Sequence, residues 1–231
     1  MQKQRESRIE DFAFDYLKAY YTQAYKVSNV LVSKAEISKN AAEADGLFVF
    51  THTEHPVFTA SLHTGNSDKL ASLLISYKKT GLGKLRFLTA FALFAGFFLL
   101  IKPVIGIGFA LPVALFAGIT GFILHTYLKN RYLQRKIEYL VSVLKKLPAN
   151  DQWLGISISS LTFRNNALAD YLNTVCKRRG IGLITVGKRS KVILMQEPRT
   201  ATCRKGDFLS YYTSEANIRK ALSDDPLMRV A

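Results

Sequence analysis

Acidic residues are scarce in this chain: 17 Asp+Glu stand against 32 Lys+Arg over 231 residues, a formal net charge of +15. That balance excludes an acidic, solvating or disordered chain. Cysteine is scarcer still. Cys176 and Cys203 are the whole complement and have no paired close spacing, which excludes a disulfide scaffold or zinc ribbon and suits a reducing compartment. With 6 Pro, 14 Gly and 48% hydrophobic residues, the chain is neither collagen-like nor of low complexity, and its length allows one domain or two. Catalytic signatures are missing as well. There is no Ser-His-Asp order, no nucleotide-binding glycine loop and no His/Cys metal cluster. Gly180-Ile181-Gly182 closes a helix and enters a strand, the reverse of a dinucleotide fingerprint. The first thirty residues mix Arg5, Glu6, Arg8, Glu10 and Asp11 with no apolar core, so no signal peptide is expected.

What is present is unevenly placed. From Phe87 to Leu128 the only charge is Lys102, followed by Pro103. The second half of this run, Val104–Leu128, is long enough as a helix to exceed the roughly 30 Å hydrocarbon core. The first half, Phe87–Ile101, reaches about 22 Å. It spans if Leu82 and Leu85 extend it and Lys84 and Arg86 snorkel. The run is therefore expected to be a two-helix transmembrane hairpin turning at Lys102–Pro103. Neither span carries a carboxylate, which argues against a transporter or proton path. His125 beside Tyr127 reads as an interfacial anchor, and no small-xxx-small motif stands out. Lys78, Lys79, Lys84 and Arg86 precede the run, and Lys129, Arg131, Arg135 and Lys136 follow it. The positive-inside rule then places both flanks and both termini in the cytoplasm, at the inner membrane.

The remaining chain alternates helices and strands. Residues 6–25 carry an apolar stripe of Ile9, Phe12, Ala13, Tyr16, Leu17, Tyr20 and Ala24. Val27–Ser33, Gly46–Thr51 and Val57–His63 read as strands, the last two as a hairpin. In Val57–His63 one face is Phe58, Ala60 and Leu62, and the other is the polar set Thr59, Ser61 and His63 with Val57. Helices are expected at Ser67–Lys79, at a stripe from Leu133 to Leu147, at Asn166–Arg178 and near Ser214–Ser223. Trp153–Ser159, Ile181–Val186 and Lys191–Met195 complete the strands. The fold class is α/β: a central mixed sheet flanked by helices and interrupted by the hairpin. Its parts are residues 1–80, the first half of the cytoplasmic domain; 81–128, the hairpin; 129–198, the second half; and 199–231, a polar tail.

This order, with Glu10 on the first helix and Ala44-Asp45-Gly46-Leu47-Phe48-Val49 opening the second strand, resembles the PD-(D/E)XK, or restriction-endonuclease-like, superfamily. Leu172 and the run Cys176-Lys177-Arg178-Arg179-Gly180-Ile181-Gly182-Leu183 resemble its later helix and strand. The resemblance implies that Asp45 holds Mg²⁺, with Glu10 as an accessory ligand. The third strand should then end in Glu-x-Lys, but here it ends His63-Thr64-Gly65. Glu43 would have to replace the missing carboxylate, and Lys69 the missing lysine. The candidate catalytic set is thus Asp45, Glu43, Lys69 and His63, with Asp45 and Glu10 for a metal.

Residues 164–205 carry a net +8, and Lys177, Arg178, Arg179, Lys188, Arg189 and Lys191 are the candidates to meet nucleic-acid phosphates or an anionic leaflet. Three readings compete. The first is a membrane-anchored, degenerate nuclease-like protein that binds nucleic acid or a partner protein without cleavage. The others are a membrane-tethered Mg²⁺-dependent nuclease with a displaced site, and a membrane scaffold. No cofactor is expected unless the chain is catalytically active, which would require Mg²⁺.

Overall fold

The computed structural model describes residues 2–51, 57–187, 191–203 and 206–223, with side chains of the first helix from Glu10 onward. Two compact units divide the chain: one comprises residues up to Leu74 and from Glu138 on, the other Ile75–Ile137. The elements are α1 (Gln2–Tyr25), β1 (Leu31–Ile37), β2 (Glu43–Phe50), β3 (Phe58–His63), α2 (Ser67–Thr80), α3 (Leu85–Ser142), β4 (Asp151–Ile156), α4 (Ala167–Arg179), β5 (Ile181–Val186), β6 (Val192–Gln196) and α5 (Glu215–Ser223).

In the first unit the six strands lie in sequence order. β1, β2 and β3 form an antiparallel meander, β4 runs parallel to β3, β5 parallel to β4, and β6 antiparallel to β5. The fold is thus α/β with a six-stranded mixed sheet. The β4–β5 crossover is α4. Asn166 starts that helix by accepting from the N–H groups of Leu168 and Ala169, and Gly180 ends it at φ 71°.

Each face of the sheet has its own core. On one side α1 lays Ala13, Phe14, Leu17 and Tyr21 onto Phe48, Phe50, Phe58, Ala60, Leu62 and Trp153. The expected stripe is rotated by about one position: Phe12 is exposed, while Phe14 and Tyr21 are buried. Gly46 explains the rotation, since a Cβ there would lie 2.1 Å from Phe14 Cε1. On the other side Ala44, Leu47 and Val49 meet Leu147, Leu209, Tyr212 and Ile218. The polar tail therefore supplies core residues. Tyr212 donates its hydroxyl to the Pro148 carbonyl (3.0 Å), and Thr213 N–H donates to Ile37 O (3.1 Å).

The second unit contains most of α3, a helix long and apolar enough to cross a membrane. It is broken at Gly106, whose φ 74° and ψ 171° are open essentially to glycine alone. Within this unit the rings of Phe87 and Phe122 have centroids 5.4 Å apart. A Cβ on Gly118 would meet the Ala90 carbonyl at 3.3 Å. Ala110 and Ala114, eight and four positions before Gly118, are fully buried. The small-residue row Ala110, Ala114, Gly118 is thus a packing seam that the sequence reading passed over.

Candidate functional site

The site is built where β2 begins and β3 ends. Gly46 pairs with Leu62 across the antiparallel ladder, so Asp45 and His63 come side by side one step beyond. His63 Nδ1 lies 3.3 Å from Asp45 Oδ2. The same Oδ2 accepts from the backbone N–H of Thr64 (2.5 Å) and Gly65 (3.1 Å). Thr64 Oγ1 in turn donates to Glu10 Oε1 of α1 (3.3 Å). Glu10, Asp45 and His63 therefore gather around one residue, Thr64. Burial raises the Asp45 carboxyl, but His63 and the two N–H donors outweigh it and hold the group below its ordinary value of 3.8.

The other candidates stand apart. Glu43 and Lys69 are exposed, and neither side chain has a hydrogen-bond or ion-pair partner among the described residues. Divalent magnesium calls for several hard oxygen ligands. Here Asp45 Oδ2 is committed to two N–H donors, and among the described residues no three His, Cys, Asp or Glu side chains are placed to hold one metal ion. The residues present do not fit Mg²⁺, and no hydrolytic step is derived through it.

The turn that follows His63 connects the site to the rest of the unit. Asn66 Nδ2 donates to the Leu140 carbonyl (3.1 Å) at the end of α3, and Ser67 Oγ accepts from Ser157 N–H (2.7 Å) beyond β4. The run Thr64-Gly65-Asn66-Ser67 has the composition of a turn and helix start. That was the sequence signal for a junction here.

A second polar cluster went unread in the sequence. At the start of β4, Asp151 is 2% exposed and pairs in register with Ala60. Trp153 Nε1–H donates to Tyr21 Oη (2.6 Å), and Tyr21 O–H donates to Asp151 Oδ2 (2.9 Å). Burial raises the Asp151 carboxyl above its ordinary value, against the lowering effect of the Tyr21 and Thr200 hydroxyls. The signal was an acid opening an apolar strand with a Trp two positions on.

Of the candidate basic residues, Arg178 and Arg179 are engaged on α3. Arg178 lies 3.3 Å from Glu138 Oε1, which also accepts from Tyr171 Oη (2.7 Å), and Arg179 donates to the Glu138 carbonyl at 3.5 Å. Lys177 and Lys191 are exposed. Lys188 and Arg189 lie outside the described residues.

No family model matches this chain, and neither curated proteins nor solved structures give a match.

Proposed function

We propose that the chain is a membrane-anchored protein of the inner membrane, facing the cytoplasm, whose α/β domain is a degenerate restriction-endonuclease-like domain that binds nucleic acid without cleaving it. One observation carries the reading. The Asp45 oxygen that would face a metal is spent on the N–H groups of Thr64 and Gly65, and Glu43 and Lys69 do not reach it. The carboxylate fastens the β3–α2 turn. The nuclease-like resemblance rests on the meander β1–β3, the parallel strand β4 and the gathering of Glu10, Asp45 and His63 at the end of β3.

For the anchor, the finer reading is a two-helix hairpin within α3. The Phe87–Phe122 contact supports it, because one continuous helix would hold these residues about 50 Å apart. The break at Gly106 and the seam of Ala110, Ala114 and Gly118 point the same way. Basic flanks on both sides favour termini in the cytoplasm.

Nucleic acid is preferred as ligand because residues 164–205 carry +8, and the exposed Lys177 and Lys191 have no ion-pair partner among the described residues. Purified full-length protein, mixed with labelled duplex DNA and RNA and with Mg²⁺ or Mn²⁺, tests this. Retention that weakens steeply with salt, with intact substrate, is expected. Cleavage that disappears in Asp45→Ala would establish a displaced nuclease site. Absence of any salt-sensitive retention would leave a protein partner or scaffold role in its place.

A further inference from the structure

The face of β3 turned away from α1 alternates Thr59, Ser61 and His63, a set that sequence alone assigns to water. In the folded chain these residues are 0%, 1% and 8% exposed. Thr59 Oγ1, Ser61 Oγ and His63 Nε2 are buried without a hydrogen-bond partner among the described residues, while His63 Nδ1 faces Asp45 Oδ2 at 3.3 Å. Unpaired buried polar atoms are individually rare and costly. Here they occupy three successive same-face positions on one central strand.

Apolar walls flank this row. Leu47 and Val49 are the ladder partners of Ser61 and Thr59 on β2, and Leu154 is the partner of His63 on β4. The fourth neighbour, Gln152 beside Ser61, turns its amide N–H groups away to the carbonyls of Leu144 and Leu147 (3.1 and 2.5 Å). Apart from Asp45 beside His63 Nδ1, no neighbouring side chain among the described residues satisfies the row.

We infer that the Thr59–Ser61–His63 face binds a single file of buried water molecules, ending at the Asp45–His63 pair. Same-face residues on a strand are about 6.6 Å apart. That distance is close to two successive O–H···O bonds of about 2.8 Å once the hydroxyls lean toward each other. One water between Thr59 and Ser61, and another between Ser61 and His63, gives every orphaned group a partner. Buried waters of this kind ordinarily take two to four polar partners, and each of these two has two in the row. The file gives His63 a polar route into the protein interior, separate from the exposed Gly65 side, where an added Cβ would lie 3.1 Å from His63 Cε1.

Two measurements decide. In a crystal structure of the full chain at a resolution that shows solvent, ordered density bridging Thr59 Oγ1 to Ser61 Oγ and Ser61 Oγ to a His63 nitrogen is expected. A dry row would overturn the inference. Independently, Thr59→Val removes a water's anchor while keeping the side-chain shape. If the row is hydrated, Thr59→Val and Ser61→Ala each lower the melting temperature by about 2–4 °C. If the row is dry, removing an unpaired hydroxyl relieves its burial and the melting temperature stays the same or rises. That result contradicts the inference. Should a variant fail to fold, the wild-type density alone decides.

Discussion

Asp45 and Asp151 stand at opposite ends of the central strands, and their surroundings move their carboxyls in opposite directions. Asp45 sits beside His63 at the end of β3 and receives two backbone N–H donors, so its ionised form is favoured. Asp151 sits near the start of β3, almost wholly buried. Burial outweighs the Tyr21 and Thr200 hydroxyls that donate to it, and its neutral form is favoured. Two acids on the strands that flank β3 thus have different tasks. The one that holds a turn has its carboxyl shifted down, and the one that closes a buried aromatic core has its carboxyl shifted up. Burial alone does not mark a carboxylate as functional. What decides is whether the surroundings supply donors for the charge.

The sharpest break in this comparison is expected at Tyr21. Tyr21→Phe removes the donor to Asp151 and the acceptor of Trp153 together. It should lower the unfolding free energy by about 2–3 kcal/mol, read by chemical denaturation, because two buried polar groups are orphaned at once. An effect within experimental error would mean that the buried network is hydrated or loose.

The two acids should also part company in their pH dependence. Asp45 has a depressed folded pKa, so its contribution is present above the ordinary value of 3.8 and lost as pH falls through the folded value. Asp45→Asn should cost about 1–2 kcal/mol near neutrality and flatten that acid limb. Asp151 has a raised folded pKa, so its neutral form favours folding at low pH, and stability is lost as pH rises through the folded value. Asp151→Asn should abolish that loss and leave the protein more stable than the wild type above the transition. Stability profiles of the two variants that bend in the same direction would contradict the comparison.

The smallest effects belong to the residues that the sequence proposed and the fold left outside. Glu43→Ala and Lys69→Ala should each change stability by less than about 0.5 kcal/mol, as exposed side chains with no partner among the described residues do. They should leave nucleic-acid retention within twofold in a filter-binding assay. A loss of retention in either would return that residue to the site.

Local periodicity made the strands and helices of the domain legible. Ile181–Val186 was read to the residue, and Asn166 and Gly180 marked the ends of α4 because capping chemistry is local. β1 was read four positions early, since Val27–Ser33 is as β-prone as the true strand Leu31–Ile37 and only its pairing with β2 decides. The burial of Thr59, Ser61 and His63 was illegible for another reason. A polar alternation normally marks a wet face, and here the C-terminal segment around Leu209 and Tyr212 packs on that side of the sheet. No local signal in a polar tail announces that it returns to cover a core. Asp45 and His63 were legible as candidates, but their adjacency follows from the β2–β3 register. That Asp45 is spent on the Thr64 and Gly65 N–H groups depends on the turn's conformation, which spacing does not encode.

The central claim, that Asp45 serves the turn and not a metal, is tested most directly by titrating Mn²⁺ into the full-length protein and its Asp45→Ala variant by electron paramagnetic resonance. The account predicts that the two leave the same free Mn²⁺ signal at every concentration. A bound-Mn²⁺ population in the wild type that vanishes in Asp45→Ala would contradict it.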